Sequence, residues 1–237
     1  MDSPGSLPTL GILGAGRVGT ALARLALKAG YRVLLANSGR NQDLEPLIDA
    51  LVPGAHAATA DEAASRSDLV YLALPIGKYQ SLPRASLAGK TVIDGMNYWP
   101  AMDGVLAEFE STPGQSSELI QDFLEDSRVV KTLNHIGYHD LENDSTLKDP
   151  HQNRALVVAG NDPQARAETS ALIHKIGFVP VDAGPLANGW KLSPVSPIFG
   201  RYCEPKELQH RLDSLYGSDE SLCSRRSSQF RLSSPSQ

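Results

Sequence analysis

The sequence predicts an α/β fold, a doubly wound parallel sheet with a small C-terminal α/β extension. Three observations carry that expectation. Short apolar runs of strand length alternate with helix-length amphipathic segments along most of the chain. The first such unit is joined by the glycine-rich turn Gly14-Ala15-Gly16-Arg17-Val18-Gly19. A second strand–helix–strand piece follows a polar stretch at 140–153.

The elements follow in order. Thr9–Leu13 is a short apolar strand. In the helix that opens at Val18, residues Ala21, Leu22, Leu25, Ala26 and Ala29 share one face, and Gly30 marks the stop. Arg32–Ala36 is a second buried strand, followed by a loop over 37–43. A helix over 44–51 ends at Pro53-Gly54. Asp61 and Glu62 suit the start of a short helix over 60–65. The run 69–74 is a buried strand stopped by Pro75, and Thr91–Asp94 is another, with 97–100 as the loop after it. A helix over 117–126 leads to a strand over 129–133. In the extension, 155–159 is a strand. Asp162 is a good N-cap with Pro163 at the first helical position, and Gly177 ends that helix after Ile176. The segment 178–181 reads as a strand whose Pro180 demands an edge or late position. A last helix near 205–216 carries Leu208, Leu212 and Leu215 on one face. The expected organisation is a dinucleotide-binding domain at 8–134, a small C-terminal part at 135–216 and a disordered tail at 217–237, where composition collapses to serine and arginine.

Composition excludes several classes. A chain of 237 residues suffices for one generous α/β domain, or one domain with a small extension. A net charge of −5 argues against a general nucleic-acid binder. No apolar run is long enough to span a bilayer, and residues 1–8 lack the basic start of a secretory signal, so no membrane partner is expected. Cys203 and Cys223 leave a disulfide open, but two free thiols in a reducing cytoplasm are the simpler reading.

Function is read first from the glycine turn. After a strand and before a helix, the first glycine makes the tight turn, the second admits a pyrophosphate, and the third lets helix pack on strand. Gly14, Ala15, Gly16, Arg17 and Val18 are therefore expected to hold a dinucleotide at a helix N-terminus. The end of the second strand reads Asn37-Ser38-Gly39-Arg40, with no carboxylate before Asp43. An acid there would grip ribose hydroxyls and repel a 2′-phosphate. Ser38 and Arg40 suit the phosphate instead, so NADP is the expected cofactor.

These marks resemble the family of NADP oxidoreductases that use coenzyme F420, and its dinucleotide-binding relatives. The resemblance covers about residues 9 to 200. It rests on the fingerprint at 14–19, the Asn37-Ser38 loop, Leu72-Ala73-Leu74-Pro75, and Val92-Ile93-Asp94 with Asn97. Also part of it are Val129-Val130-Lys131-Thr132-Leu133-Asn134 and Val181-Asp182-Ala183-Gly184-Pro185-Leu186. It implies a Rossmann domain with a small C-terminal capping part, and hydride transfer between NADPH and a flavin-like or deazaflavin acceptor. The chain departs from the family pattern where Gly39 separates Ser38 from Arg40, and where Asn134 precedes His135 and Ile136.

Hydride passing between two flat rings can proceed without a protein acid or base, which matches the lack of an obvious catalytic set. Leu74, Pro75 and Ile76 are expected on the nicotinamide side, because ligands sit at strand carboxyl ends. Asn97, Asn134, His135 and Ile136 are the candidates on the acceptor side. His135 is either a hydrogen-bond donor or proton carrier there, or a packing residue. His135 and His139 have a four-residue spacing, but Gly137 intervenes and Ile136 stands where a zinc-hydrolase motif needs Glu, so no metal is expected. An imine or carbonyl reductase similar to pyrroline-carboxylate reductases, and an NADP-sensing protein without turnover, remain alternatives. The partner expected is a small-molecule hydride acceptor, with a homodimer left open.

Overall fold

A computed structural model of the chain describes residues 8–37, 41–111, 114–149 and 151–216. Expectations for Ser38, Arg40, Cys223 and the tail therefore lie outside the described residues. In order, the elements are β1 (Thr9–Leu13), α1 (Arg17–Lys28), β2 (Arg32–Ala36), α2 (Asn41–Leu51), β3 (His56–Ala57), α3 (Ala60–Ser65) and β4 (Leu69–Leu72). Then come α4 (Arg84–Leu87), β5 (Thr91–Asp94), α5 (Pro100–Asp103), α6 (Ala107–Glu110), α7 (Ser116–Phe123), β6 (Arg128–Lys131) and α8 (Tyr138–Asn143). The last are β7 (Ala155–Gly160), α9 (Pro163–Lys175), β8 (Val179–Asp182) and α10 (Pro205–Tyr216). Two 3-10 turns, Ile76–Ser81 and Leu186–Leu192, follow β4 and β8.

All eight strands form one sheet in the order β3-β2-β1-β4-β5-β6-β7-β8. The strands β1 to β6 run parallel, as the alternation predicts. They are apolar on both faces because helices cover both faces. Every residue of β4, β5 and β7 is buried. Helix α1 places Ala21, Leu22, Leu25 and Ala26 in the core, the stripe its period specifies.

The doubly wound sheet is parallel except at one junction. β7 pairs antiparallel to β6, through Val130 with Gly160 and Lys131 with Ala159. The 132–154 connection leaves at the carboxyl end of β6 and returns there, so β7 runs back alongside it. The unit β7–α9–β8 is parallel within itself, as its pattern predicts, and β8 takes the edge that Pro180 requires. The sheet is continuous across the 134/135 boundary. Other differences are local. The two-residue strand β3 carries no readable pattern, α2 starts within the expected 37–43 loop, and α8 occupies part of the expected polar loop. No helix among the described residues is long and apolar enough to cross a membrane.

Helix α9 begins as read. The Asp162 carboxylate accepts the Ala165 N–H at 2.7 Å, and Pro163 follows. Asp162→Ala should lower the free energy of unfolding by about 1 kcal/mol, and Asp162→Gly by only a few tenths. Urea denaturation of the two variants checks this. Equal losses would mean that something other than the cap holds the helix start.

Candidate active site

The first cleft is made largely of backbone. β1 delivers the chain to Gly14, which sits at φ +125°. A Cβ there would run into the Ala73 carbonyl at the end of β4, and a Cβ on Gly19 would meet the Gly14 carbonyl oxygen. The protein's own atoms thus demand the first and third glycines. Gly16 is different, because a Cβ there would meet nothing within 4 Å. Gly16 is also the N-cap of α1, with no side chain capping that end and no acidic residue in the first turn. Its carbonyl is held by the Thr20 hydroxyl at 2.9 Å. The first-turn N–H groups remain for an anion.

Gly14, Ala15 and Gly16 open into a cleft of about 520 Å³, with Asn37 and, across it in sequence, Leu74, Pro75 and Lys78 in its walls. A pyrophosphate fits this donor set. Arg17 and Val18 are not in that wall. The Arg17 guanidinium lies 5.5 Å from the Tyr138 ring centroid and donates to the Tyr138 hydroxyl at 3.3 Å, linking α1 to α8. Val18 packs on the core.

A second cleft of about 260 Å³ lies beyond the ends of β5 and β6. Its wall includes Asn97, Tyr98, Glu110, Lys131, Asn134 and Ser193. Side chains build it. The Asn97 amide donates to the Asn134 carbonyl at 2.8 Å, and the Asn134 amide donates to Asn97 Oδ1 at 2.9 Å and to the Leu192 carbonyl at 2.7 Å. Asn134 Oδ1 is buried without a hydrogen-bond partner. Preceding it, Leu133 has φ +62°, and no other non-glycine among the described residues has a positive φ. That local strain re-aims the chain as it leaves β6.

Beneath this cleft lies an ion pair. Asp94 and Lys131 occupy paired positions on β5 and β6. Lys131 Nζ donates to Asp94 Oδ2 at 3.1 Å and to the Met96 carbonyl at 2.6 Å. Asp94 also accepts from the Ser117 hydroxyl at 2.6 Å and the Met96 N–H at 2.9 Å. Burial pushes the Lys131 ammonium below the usual lysine range, against the pull of Asp94.

The structure thus brings Gly14, Ala15, Gly16, Asn37, Leu74 and Pro75 to one cleft, and Asn97 and Asn134 to its neighbour. It does not bring Ile76, His135 or Ile136 to either wall. Ile76 is fully buried in the core under the 3-10 turn, and Ile136 packs in the other core cluster. His135 turns to β7, where its Nε2 accepts the Val157 N–H at 3.2 Å. Burial, then Arg154 and Lys131, push its imidazole down to about 3. The buried ring thus makes its bond to β7 and lines neither cleft. Among the described residues no group of His, Cys, Asp and Glu could hold a metal ion. Sequence reading missed Asp94 and Lys131 as a pair. The available signal was a charge of opposite sign at the last position of each of two short strands with apolar centres.

Residues 9–98, the span from β1 through β5 to Tyr98, match the model of the family described as NADP oxidoreductase, coenzyme F420-dependent. It is 27% identical over 206 residues to Metalloreductase STEAP3 of Rattus norvegicus, covering 82% of this chain and 39% of that protein. Metalloreductase STEAP2 of Mus musculus is 25% identical over 76% of this chain and 34% of its own length. The chain therefore spans well under half the length of these curated relatives. Among solved structures, the hypothetical protein SMa0349 from Sinorhizobium meliloti superposes with a TM-score of 0.70 at 27% identity, covering 84% of this chain and 96% of that one.

His135 carries a prediction. Its unfolded-state pKa is near 6.5, so below that pH the unfolded chain binds a proton that the folded chain refuses down to about pH 3. Between those values stability should fall with acidification, by up to about 1.4 kcal/mol per pH unit from this group. His135→Asn should flatten that part of the profile in denaturant titrations at pH 4 to 7. An unchanged slope would mean that other groups set it.

Proposed function

We propose that the chain is an NADP-dependent oxidoreductase that passes a hydride between NADPH and a flavin-like or deazaflavin acceptor in the second cleft. The observation that carries this reading is the pair of clefts at neighbouring strand ends. One is cut in backbone around Gly16 for a pyrophosphate, and the other is lined by oriented polar side chains and a flat aromatic wall. The family match over 9–98 supports it.

When bound, NADPH supplies the hydride. The chain supplies position. Gly14 to Gly16 and the start of α1 would hold the pyrophosphate, and Ser38 and Arg40 the 2′-phosphate. Leu74 and Pro75, at the end of β4, would direct the nicotinamide toward the end of β5. The reciprocal Asn97–Asn134 bonds keep the ends of β5 and β6 from parting. Tyr98, stacked on Phe109 at 5.3 Å between centroids and bonded to Glu110 at 2.9 Å, offers a fixed surface against which a planar acceptor could lie. Positioning of this kind can supply most of the acceleration when both reacting groups are rings that carry their own chemistry.

Two measurements test the reading. Fluorescence titration should show tighter binding of NADPH than NADH. Arg40→Ala should weaken NADPH by roughly 1.5–3 kcal/mol and leave NADH nearly unchanged, as expected for a charge-assisted bond to the extra phosphate. Equal wild-type affinities would sink the NADP assignment. Loss of NADPH absorbance with FMN, a deazaflavin, a cyclic imine and a ferric chelate should be fastest with a flavin or deazaflavin. The ferric chelate belongs in the panel because the relatives in rat and mouse are named metalloreductases.

A further inference from the structure

We propose that Lys131 is a catalytic residue of the second cleft, donating a hydrogen bond to the acceptor oxygen that gains negative charge as hydride arrives. Asn134 Oδ1 takes an N–H of the same acceptor. The inference rests on the reading above that the second cleft holds the acceptor.

The argument starts from unmet hydrogen bonds. An ammonium has three N–H donors. Lys131 uses two, on Asp94 Oδ2 and the Met96 carbonyl. The third has no partner among the described residues. Asn134 is 4% exposed, and its Oδ1 is buried and unpartnered. Both residues line the same cleft. A buried polar atom left unsatisfied costs about 1–3 kcal/mol, and native proteins hold few of them. Here one unmet donor and one unmet acceptor line one small cavity. The complementary ligand edge is an oxygen acceptor next to an N–H donor, the edge of a lactam or imide ring.

The ion pair below makes little sense as a stabilising device. Two buried charges lose hydration that their attraction seldom repays, and apolar replacement is often neutral or better. Its arrangement does suit electrostatic catalysis. Asp94 is held by Ser117 from α7 and by the Met96 N–H, so it cannot swing away, and it fixes the Lys131 head in turn. Gly189 of the second 3-10 turn packs against the Lys131 stem, where a Cβ would come within 3.3 Å of Cγ. The donor is therefore preorganised and buried, where such a bond is worth most. Burial already holds the ammonium below its usual range, so a developing anion nearby relieves it.

The electrons balance without a proton in the step. The C–H bond of the reduced nicotinamide breaks, and its electron pair and hydrogen form a new bond to the acceptor ring. The π pair displaced there moves onto the conjugated ring oxygen. The acceptor becomes an anion, and the cofactor is left oxidised. Lys131 and Asn134 act on the acceptor alone, while Asp94 and Ser117 are positioning residues.

The test uses FMN as the probe, since its ring carries an N–H between two carbonyls. The double variant Lys131→Met with Asp94→Asn removes both charges and leaves no unpaired carboxylate. Asn134→Leu is the second variant and spares the ion pair. For both, NADPH affinity and melting temperature should stay near wild type, because the first cleft is separate. Turnover of FMN should drop roughly a hundredfold in the double variant, the usual loss for one preorganised donor. Bound FMN should become harder to reduce, read as a more negative midpoint potential by spectroelectrochemistry. Asn134→Leu should weaken FMN binding about tenfold with a smaller change in potential. Wild-type turnover and potential in a folded double variant, or no FMN binding by a wild-type chain that binds NADPH, overturns the assignment. If the double variant does not fold, unchanged FMN binding by Asn134→Leu overturns it. A wild-type chain that fails to bind NADPH overturns the dinucleotide reading instead, and this inference falls with it.

Discussion

The buried pair of Asp94 and Lys131 joins several elements around the second cleft. It ties the last residue of β5 to the last residue of β6 across a paired position. Through Ser117 it anchors α7, and through Met96 it sets the loop that carries Asn97 and Tyr98. Gly189 then closes the C-terminal extension over the lysine stem. Removing one member would leave the other charge buried and alone, at a cost of about 3–5 kcal/mol. Each wall of the second cleft is thus referred to one ionic contact.

The two clefts are built on different principles. In the first, backbone does the recognising, so glycines dominate and few side chains are required. Its shape follows from Gly14 and Gly19 touching neighbouring carbonyls and from Gly16 touching nothing. In the second, recognition falls to side chains, and each must be aimed. The strained Leu133 and the reciprocal amides of Asn97 and Asn134 do that work. A backbone cleft suits a cofactor shared by many proteins. A side-chain cleft can be changed residue by residue to suit a particular partner.

The extension is fastened to the dinucleotide-binding part by charge as well as by the sheet. Arg24 of α1 makes two short bonds to Glu142 of α8, at 2.6 and 2.8 Å. Arg154, almost wholly buried, meets Asp144 at 2.6 Å and the Arg201 carbonyl at 3.0 Å. Those contacts pin the 132–154 connection on which Asn134 and His135 sit. The antiparallel entry of β7 depends on this connection staying at one end of the sheet.

Much was legible in the sequence, and for a common reason. The strands and helices follow from local periodicity, the α9 cap from Asp162 and Pro163, and the β8 edge from Pro180, since each is decided by neighbours a few residues away. The glycine fingerprint is equally local, because a turn between one strand and one helix needs only its own six residues. Tertiary structure alone decided the rest. The direction of β7 depends on where a connection of more than twenty residues returns, which no short window encodes. His135 looked like a site residue because it follows a strand end, but the strand that comes to lie beside it takes its nitrogen for a backbone bond. In the sequence Lys131 is only one residue of the run Val129-Val130-Lys131-Thr132-Leu133. Its partner appeared only when β5 set Asp94 opposite it and both were closed off from water, because pairing across strands is decided by the fold and burial strengthens the attraction between two charges.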